Sequence, residues 1–328
     1  MPRFSIIIKE HLVRIILAFL CILVFIGITA WNSYAPMPFH KWNQQEASRI
    51  TVADPNDFSF AVMGDNKGNH AVFEPLVQDI DHDKEIRFAI DCGDLVREGR
   101  VGLYRRFLQQ VQENLTIPFL TAIGNHDLND DGSNKNYQEI LGPTYYSFQV
   151  GQGYFIVLDA ITEADFDKTE RQWLENELQK SQESKACFVF MHVPVFDPRG
   201  GIFHKSLPHK DQQDLLDLFR RYKVTHLFAS HLHGYFSGIW EGVPYTLTGG
   251  AGARLQGTDP EHFFHHYVKV HVSQGKADIM VRRLDTANTV VFFFDLMEDY
   301  FLQWGLLTTA GLLPFALGLS IMKRRRSS

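Results

Sequence analysis

The chain has few cysteines, little basic charge through its middle and no internal repeat. Its three cysteines, Cys21, Cys92 and Cys187, include no paired CxxC, which argues against a disulfide framework and against a thiolate zinc site. Cys21 lies in an apolar run, and the other two sit in strand-like stretches where buried free thiols are common. A bridge from Cys92 to Cys187 stays open at this level. Basic residues gather at the two ends, with Arg3, Lys9 and Arg14 flanking one apolar run and Lys323, Arg324, Arg325 and Arg326 following another. Between those ends 25 basic residues stand against 37 acidic ones, and such a body repels a phosphate backbone, so nucleic-acid binding is ranked low.

Charge is wholly missing from two stretches. Residues 15–31, IILAFLCILVFIGITAW, are long enough at helical rise to cross a slightly thin hydrocarbon layer. A cleaved signal peptide is the competing reading, but its cleavage sites are poor: Ile28 with Ala30 puts a bulky residue three positions back, and Ser33 with Ala35 puts Pro36 directly after the cut. Residues 300–322 are also uncharged, with Tyr300 and Trp304 near one edge, a basic tail beyond the other and Pro314 as an expected kink. A buried core helix is the alternative for that run. Both basic flanks lie on the outer side of their runs, so the positive-inside rule puts both termini in the cytoplasm and everything between them across the membrane. The expected plan is a cytoplasmic basic N-terminus (1–14), a signal-anchor helix (15–31), a linker (32–57), a folded body (58–299), a second membrane helix (300–322) and a basic cytoplasmic tail (323–328).

With 45% hydrophobic and 13% aromatic residues over its 328 positions, the chain can build a real core. Apolar strand-like runs begin at Phe58, Arg87, Pro118, Tyr154, Ala186 and Thr225, and helical patterns begin at Leu103, Thr169 and Asp211. This alternation predicts a layered α/β domain with much of its sheet buried on both faces, turning richer in strands after His231.

Nearly every apolar run ends in residues that ligate metals or handle protons: Asp65 in MGDN, Asp94 in DCGDLV, Asn125 and His126 in IGNHD, His192 in MHVP, His231 and His233 in SHLHG. An Asp after a strand is ordinarily a turn residue and a lone His ordinarily a satisfied one. Ligands of α/β sheets gather beyond the carboxyl ends of the strands, however, and five unrelated turns would not draw one inventory.

In this order, GD, GD, GNHD, a lone His before Val-Pro, then HxH, the sequence resembles the calcineurin-like metallophosphoesterases across Phe58 to Val272. The resemblance implies an α-β-β-α sandwich with a binuclear metal centre at the ends of the central strands, here flanked by N- and C-terminal transmembrane helices. It implies that Asp94 bridges two metals, that Asn125, His192 and His231 complete one site, and that Asp65 and His233 serve the other. The donors are imidazole, carboxylate and amide oxygen, which suit two divalent ions of the Mn, Fe or Zn class. His126 would contact the phosphate or protonate the leaving oxygen, with Asp127 beside it fixing its tautomer.

Two departures stand out. The family's first motif commonly reads Asp-x-His, but Lys67 holds that His position, and an ammonium is a poor ligand and a good phosphate partner. His70 and Asn66 are the local candidates for the missing ligand. Where the related purple acid phosphatases carry a tyrosine, three residues after the bridging acid, this chain has Arg97. Ser230 opens the HxH motif where glycine is usual. Lys67, Arg97, His204 and His265 are the expected substrate contacts, the last two from the irregular segments starting at Phe196 and Glu261, which would form a rim around the strand ends.

The expected function is metal-dependent hydrolysis of phosphate monoesters or diesters, lipid-linked ones included, on the outer side of the cytoplasmic membrane or an endomembrane. The competing function is a non-catalytic phosphate or metal sensor with a degenerate first site, and a membrane-held scaffold would carry no metal at all.

Overall fold

Along the first strand the side chains alternate between two destinations. Phe58, Phe60 and Val62 enter one apolar cluster while Ala61 and Met63 enter another, as a period of two requires of a strand buried on both faces. We describe this arrangement from a computed structural model, which defines residues 36–161, 167–200 and 206–284 and, in the first apolar run, residues 16, 19, 20, 22–24 and 27.

Two mixed sheets form the centre. The first contains β1 (Asp57–Met63), β2 (Ile86–Asp91), β3 (Phe119–Thr121), β10 (His266–Ser273) and β11 (Lys276–Arg283) in the order β11-β10-β1-β2-β3. The second contains β4 (Tyr146–Val150), β5 (Gly153–Val157), β6 (Ala186–Phe190), β7 (His226–Ala229), β8 (Tyr235–Trp240) and β9 (Val243–Thr248) in the order β4-β5-β6-β7-β9-β8. The middle strands run parallel: β1 with β2, β2 with β3, β5 with β6, β6 with β7 and β7 with β9. Antiparallel strands stand at three of the four edges, β11, β4 and β8, and the parallel strand β3 at the fourth.

The sheets meet through phenylalanines. Phe60 stacks on Phe88 at 5.2 Å and meets Phe155 and Phe188 edge-on at 5.3 Å, and Phe190 stacks on Phe228. Such offset and edge contacts add to the burial of large rings. The outer face of the first sheet is covered by α2 (His70–His82), α3 (Val101–Asn114) and α4 (Lys135–Ile140), and that of the second by α5 (Lys168–Lys180) and α6 (His209–Arg221). Helices on both outer faces of two packed sheets make the α-β-β-α sandwich.

The segment expected as a linker, 32–57, contains a helix instead, α1 (Trp42–Arg49). Its residues close the open edge of β3. Asn43 accepts from Thr121 N at 2.9 Å and donates to Thr121 O, Trp42 Nε1 donates to Phe119 O at 2.7 Å, and Glu46 accepts from Phe119 N. An uncovered strand edge would present those backbone groups to another chain.

Cys92 and Cys187 are free and buried, so they form no bridge. Among the described residues no helix is long and apolar enough to cross a membrane. The described positions of the first apolar run are helical, and Ile16, Phe19, Leu20, Ile22, Leu23 and Val24 are exposed. The remainder of that run, all of the second and the terminal tails lie outside the described residues.

Candidate metal centre

Each parallel central strand ends in a tight turn that carries a polar side chain. Asp65 follows β1, Asp94 follows β2, Asn125 follows β3 in a short 3-10 turn, His192 follows β6, and His231 and His233 follow β7. Asp65, Lys67, Asp94, His231 and His233 all take the left-handed backbone region, with φ between 42° and 70°. Non-glycine residues held there are uncommon and concentrate at functional sites. The turns pass close enough that a Cβ at Gly124 would meet Asp94 N at 2.2 Å, and one at Gly249 would meet Asp65 Oδ2 at 2.5 Å.

The side chains gather in two groups that share Asp94. In one, single ligand atoms of Asp65, Asp94 and His233 lie within 4.8 Å of one another. In the other, His192 Nε2 is 3.3 Å from Asp94 Oδ1, 3.1 Å from Asn125 Oδ1 and 3.2 Å from His231 Nδ1.

The hydrogen bonds behind these atoms orient them for ligation. His192 Nδ1 lies 3.0 Å from Cys92 O and donates to it, which leaves the Nε2 lone pair directed at Asp94 and Asn125. Ser230 Oγ sits 2.9 Å from the same Nδ1 and donates to Cys92 O, so the residue that departs from the usual glycine helps to seat the histidine. His233 Nδ1 donates to Arg254 O at 2.7 Å, turning its Nε2 toward Asp65 Oδ1 at 3.5 Å. Burial first and the Lys67 cation second push His233 down to about 3, and burial likewise lowers His192, so both imidazoles present neutral lone pairs.

The carboxylates are arranged for a cation. Burial, then the charge of Asp94, drives Asp65 well above the usual carboxylate range. Burial pushes Asp94 the same way, but His192, Lys67 and His126 outweigh it and hold that carboxyl low. Asp65 Oδ1 is buried and has no hydrogen-bond partner among the described residues, while Oδ2 accepts from His231 N at 2.6 Å. An unpartnered buried carboxylate oxygen facing an imidazole lone pair suits a divalent ion, so the donors present fit the implied metals.

The other expected site residues fall in several places. Lys67 joins the group, its Nζ 3.2 Å from Asp94 Oδ2. His126 Nδ1 donates to Arg97 O at 2.9 Å, so Arg97 enters through its carbonyl. Asp127 does not set the tautomer of His126; its carboxylate accepts from the backbone amides of Asp94, Leu95, Val96 and Gly124. His265 does not stand on a rim: it is buried, with Nδ1 3.1 Å from Gly250 O, and burial lowers its pKa. His204 lies outside the described residues. Neither candidate for the missing first-site ligand takes that role, since His70 is exposed at the start of α2 and Asn66 binds Asp91 Oδ2 and Gly68 N.

Sequence reasoning passed over Asp91 and the seating role of Ser230. Asp91 accepts from Asn66 and from Gly93 N beneath the Asp94 turn, and burial pushes its carboxyl up to about 7. The DCGD repeat of acids was the available signal. A cavity of about 460 Å³ is lined by Arg199, Phe236, Tyr245, Asp259, His262 and Phe263, and none of the six donors lines it.

Comparison with known proteins gives the same picture. The model of the calcineurin-like phosphoesterase family matches residues 58–235. The chain is similar to the rat serine/threonine-protein phosphatase CPPED1, 27% identical over 192 residues that cover 52% of this chain and 60% of that one. It is also similar to purple acid phosphatase 13 of Arabidopsis thaliana, 26% identical over 166 residues covering 44% of this chain and 30% of that one. The chain thus spans less than two thirds of the length of these relatives. Among solved structures, the purple acid phosphatase PPD1 of yellow lupin superposes with a TM-score of 0.58 at 17% identity, over 71% of this chain and 53% of that one. GAP50 of Plasmodium, described as the anchor in the inner membrane complex, gives 0.51 at 14% identity, over 72% and 94%. Those two likenesses concern the fold alone. The family match covers more than half of the 328 residues and includes all six converging donors, and the chain belongs to the calcineurin-like phosphoesterase family.

Proposed function

We propose that the protein hydrolyses phosphate esters in a metal-dependent reaction at a binuclear centre. The observation that carries this reading is the convergence of six donors from turns of both sheets on Asp94, with neutral imidazoles facing buried carboxylate and amide oxygens. Asp94 would be shared by the two positions; Asn125, His192 and His231 would complete one, and Asp65 and His233 would serve the other. When bound, two divalent ions of the Mn, Fe or Zn class supply charge stabilisation at the phosphoryl oxygens and make a nucleophile of water near neutral pH.

The chain's own groups do the rest. Lys67, 16% exposed beside Asp94, directs its ammonium to a substrate phosphate and adds positive charge where the transition state gathers negative charge. His126, with Nδ1–H fixed on Arg97 O, turns Nε2 to the leaving oxygen; in its imidazolium form it would give the Nε2 proton to that oxygen and return to the neutral Nδ1–H form. The Asp65–His233 position offers fewer protein donors than the other and would hold its ion less tightly.

The substrates are phosphomonoesters or phosphodiesters, including lipid-linked ones, and the domain lies outside the cytoplasm between two membrane helices, 15–31 and 300–322. The charge-free runs with outer basic flanks support this placement, as do the exposed apolar side chains at the described positions of the first run.

The test uses the full chain in detergent with added Mn, assayed against a chromogenic phosphomonoester and a chromogenic diester, with Asp94→Asn as control. Hydrolysis of either ester that Asp94→Asn abolishes is the expected result. Bound metal with neither ester hydrolysed would move the protein to the sensor class.

A further inference from the structure

The first and last described residues of the body lie at the same pole, and that pole is the one carrying the candidate metal site. β10 runs antiparallel to β1, pairing Val62 with Val268 and Asp57 with Ser273, so its first residue, His266, stands level with the turn after β1 that holds Asp65. β11 turns back and pairs Arg283 with His266, and Leu284 N donates to His265 O. The last described residues therefore exit beside the catalytic turns.

The entry lies at the same level. α1 lies against the edge of β3, with Asn43 at its start bonded to Thr121 and Arg49 at its end donating to Thr116 O. Thr121 is the last residue of β3, four positions before Asn125. The chain thus comes onto the body at the ligand end of β3 and runs down toward the opposite end. Entry and exit sit at opposite edges of one sheet, β3 and β11, and at one end of its strands.

Chain length makes this placement consequential. Phe39 is buried and packs edge-on against Trp42 at 5.4 Å, so only eight Cα-to-Cα steps separate Trp31, the end of the apolar run, from a fixed point on the body. Fully extended they reach about 28 Å. A folded body of this size is about 45 Å across. A body turned with its metal site away from the lipid would need the N-terminal connector to climb most of that diameter, which it cannot span.

We infer that the catalytic mouth faces the bilayer that holds the protein's own two ends, and that its substrates are phosphate esters presented at the level of the lipid headgroups. This inference rests on the hydrolase reading and on the membrane placement of the two runs. The bound surface is a lipid surface, and the phosphate it offers is covalently part of a lipid. Phosphate esters in free solution would have to enter between the domain and the membrane.

The experiment places a fluorophore on single cysteines in full-length protein reconstituted into vesicles that contain headgroup-quencher lipid, in a Cys21→Ala background. Thr258→Cys and Asp131→Cys lie in exposed loops at the catalytic end; Lys276→Cys and Glu183→Cys are exposed at the opposite end. The expected result is loss of fluorescence at Thr258→Cys and Asp131→Cys, with Lys276→Cys and Glu183→Cys retaining theirs. Equal quenching at both ends, or stronger quenching at Lys276→Cys and Glu183→Cys, overturns the inference, and so does recovery of the protein free of the vesicles. Hydrolysis of a soluble chromogenic ester by the same labelled samples reports separately on the hydrolase reading, so an active protein with the reversed quenching pattern refutes only the orientation.

Discussion

Lys67 Nζ stands 3.2 Å from Asp94 Oδ2, the carboxylate that both groups of donors share. A cation of the chain itself thus leans on the shared carboxylate, at the sequence position where the family commonly has a histidine. The pairing predicts two separable effects. Lys67→Ala raises KM by about 10-fold or more, the loss of a charge-assisted hydrogen bond to phosphate. Lys67→His tightens the weaker of two metal affinities measured by calorimetric titration. Two equally tight sites in the wild type, with an unchanged KM in Lys67→Ala, would remove Lys67 from the phosphate.

His126 and Asp127 are neighbours in sequence with separate tasks. His126→Ala lowers kcat by about 10²-fold or more while metal content stays full, because a proton donor is lost and the turns remain intact. Asp127→Ala strands four buried amides and lowers stability by about 3 kcal/mol or more, so its melting temperature drops and its metal content drops with it. Elemental analysis and thermal melts separate the two variants.

Glu170 opens α5 and is buried where its Oε1 accepts from Asp159 N. Burial, opposed by that hydrogen bond, pushes its carboxyl up to about 8. A folded-state pKa above the unfolded value means that the folded form holds the proton longer. The associated stability is fully present below the ordinary carboxylate range near 4.5 and is lost as pH rises toward 8. Urea midpoints of the wild type should therefore fall relative to those of Glu170→Gln between pH 5 and pH 8 (about the two ends of that window). Parallel curves for the two proteins would place the shift elsewhere.

Asn43 closes the β3 edge through both backbone groups of Thr121. Asn43→Ala costs about 1–3 kcal/mol, the desolvation of a buried donor and acceptor. Gln44→Ala, on the exposed side of the same helix, leaves the urea midpoint in place.

Much of the site was legible because its residues follow a strand in every case. A buried strand has a visible apolar signature, and the polar residue that ends it is therefore conspicuous: Asp65, Asp94, His192 and His231 stand out for that reason. What local pattern could not show was partnership over long separation. Asn43 and Trp42 read as part of a linker because the strand they cover lies 77 and 78 positions away. Asp127 read as a helper of His126 because adjacency in sequence stood in for adjacency of side chains, whereas its carboxylate turns to amides some 30 positions earlier. His265 lies among histidines and phenylalanines that suit a rim equally well in sequence; only the pairing of β10 with β1 carries it inward, behind Gly250.

The donors are divided between the two sheets. Asp65, Asp94 and Asn125 belong to strands of the first, and His192, His231 and His233 to strands of the second. Phenylalanines join the sheets through their shared interior, in stacked and edge-on pairs that lie away from the strand ends. Two divalent ions held at the strand ends would act as a rivet through both plates, tying donors of one sheet to donors of the other. A chelator that strips such ions would remove that rivet, and the interface between the sheets, remote from any substrate, would be expected to loosen from the catalytic end.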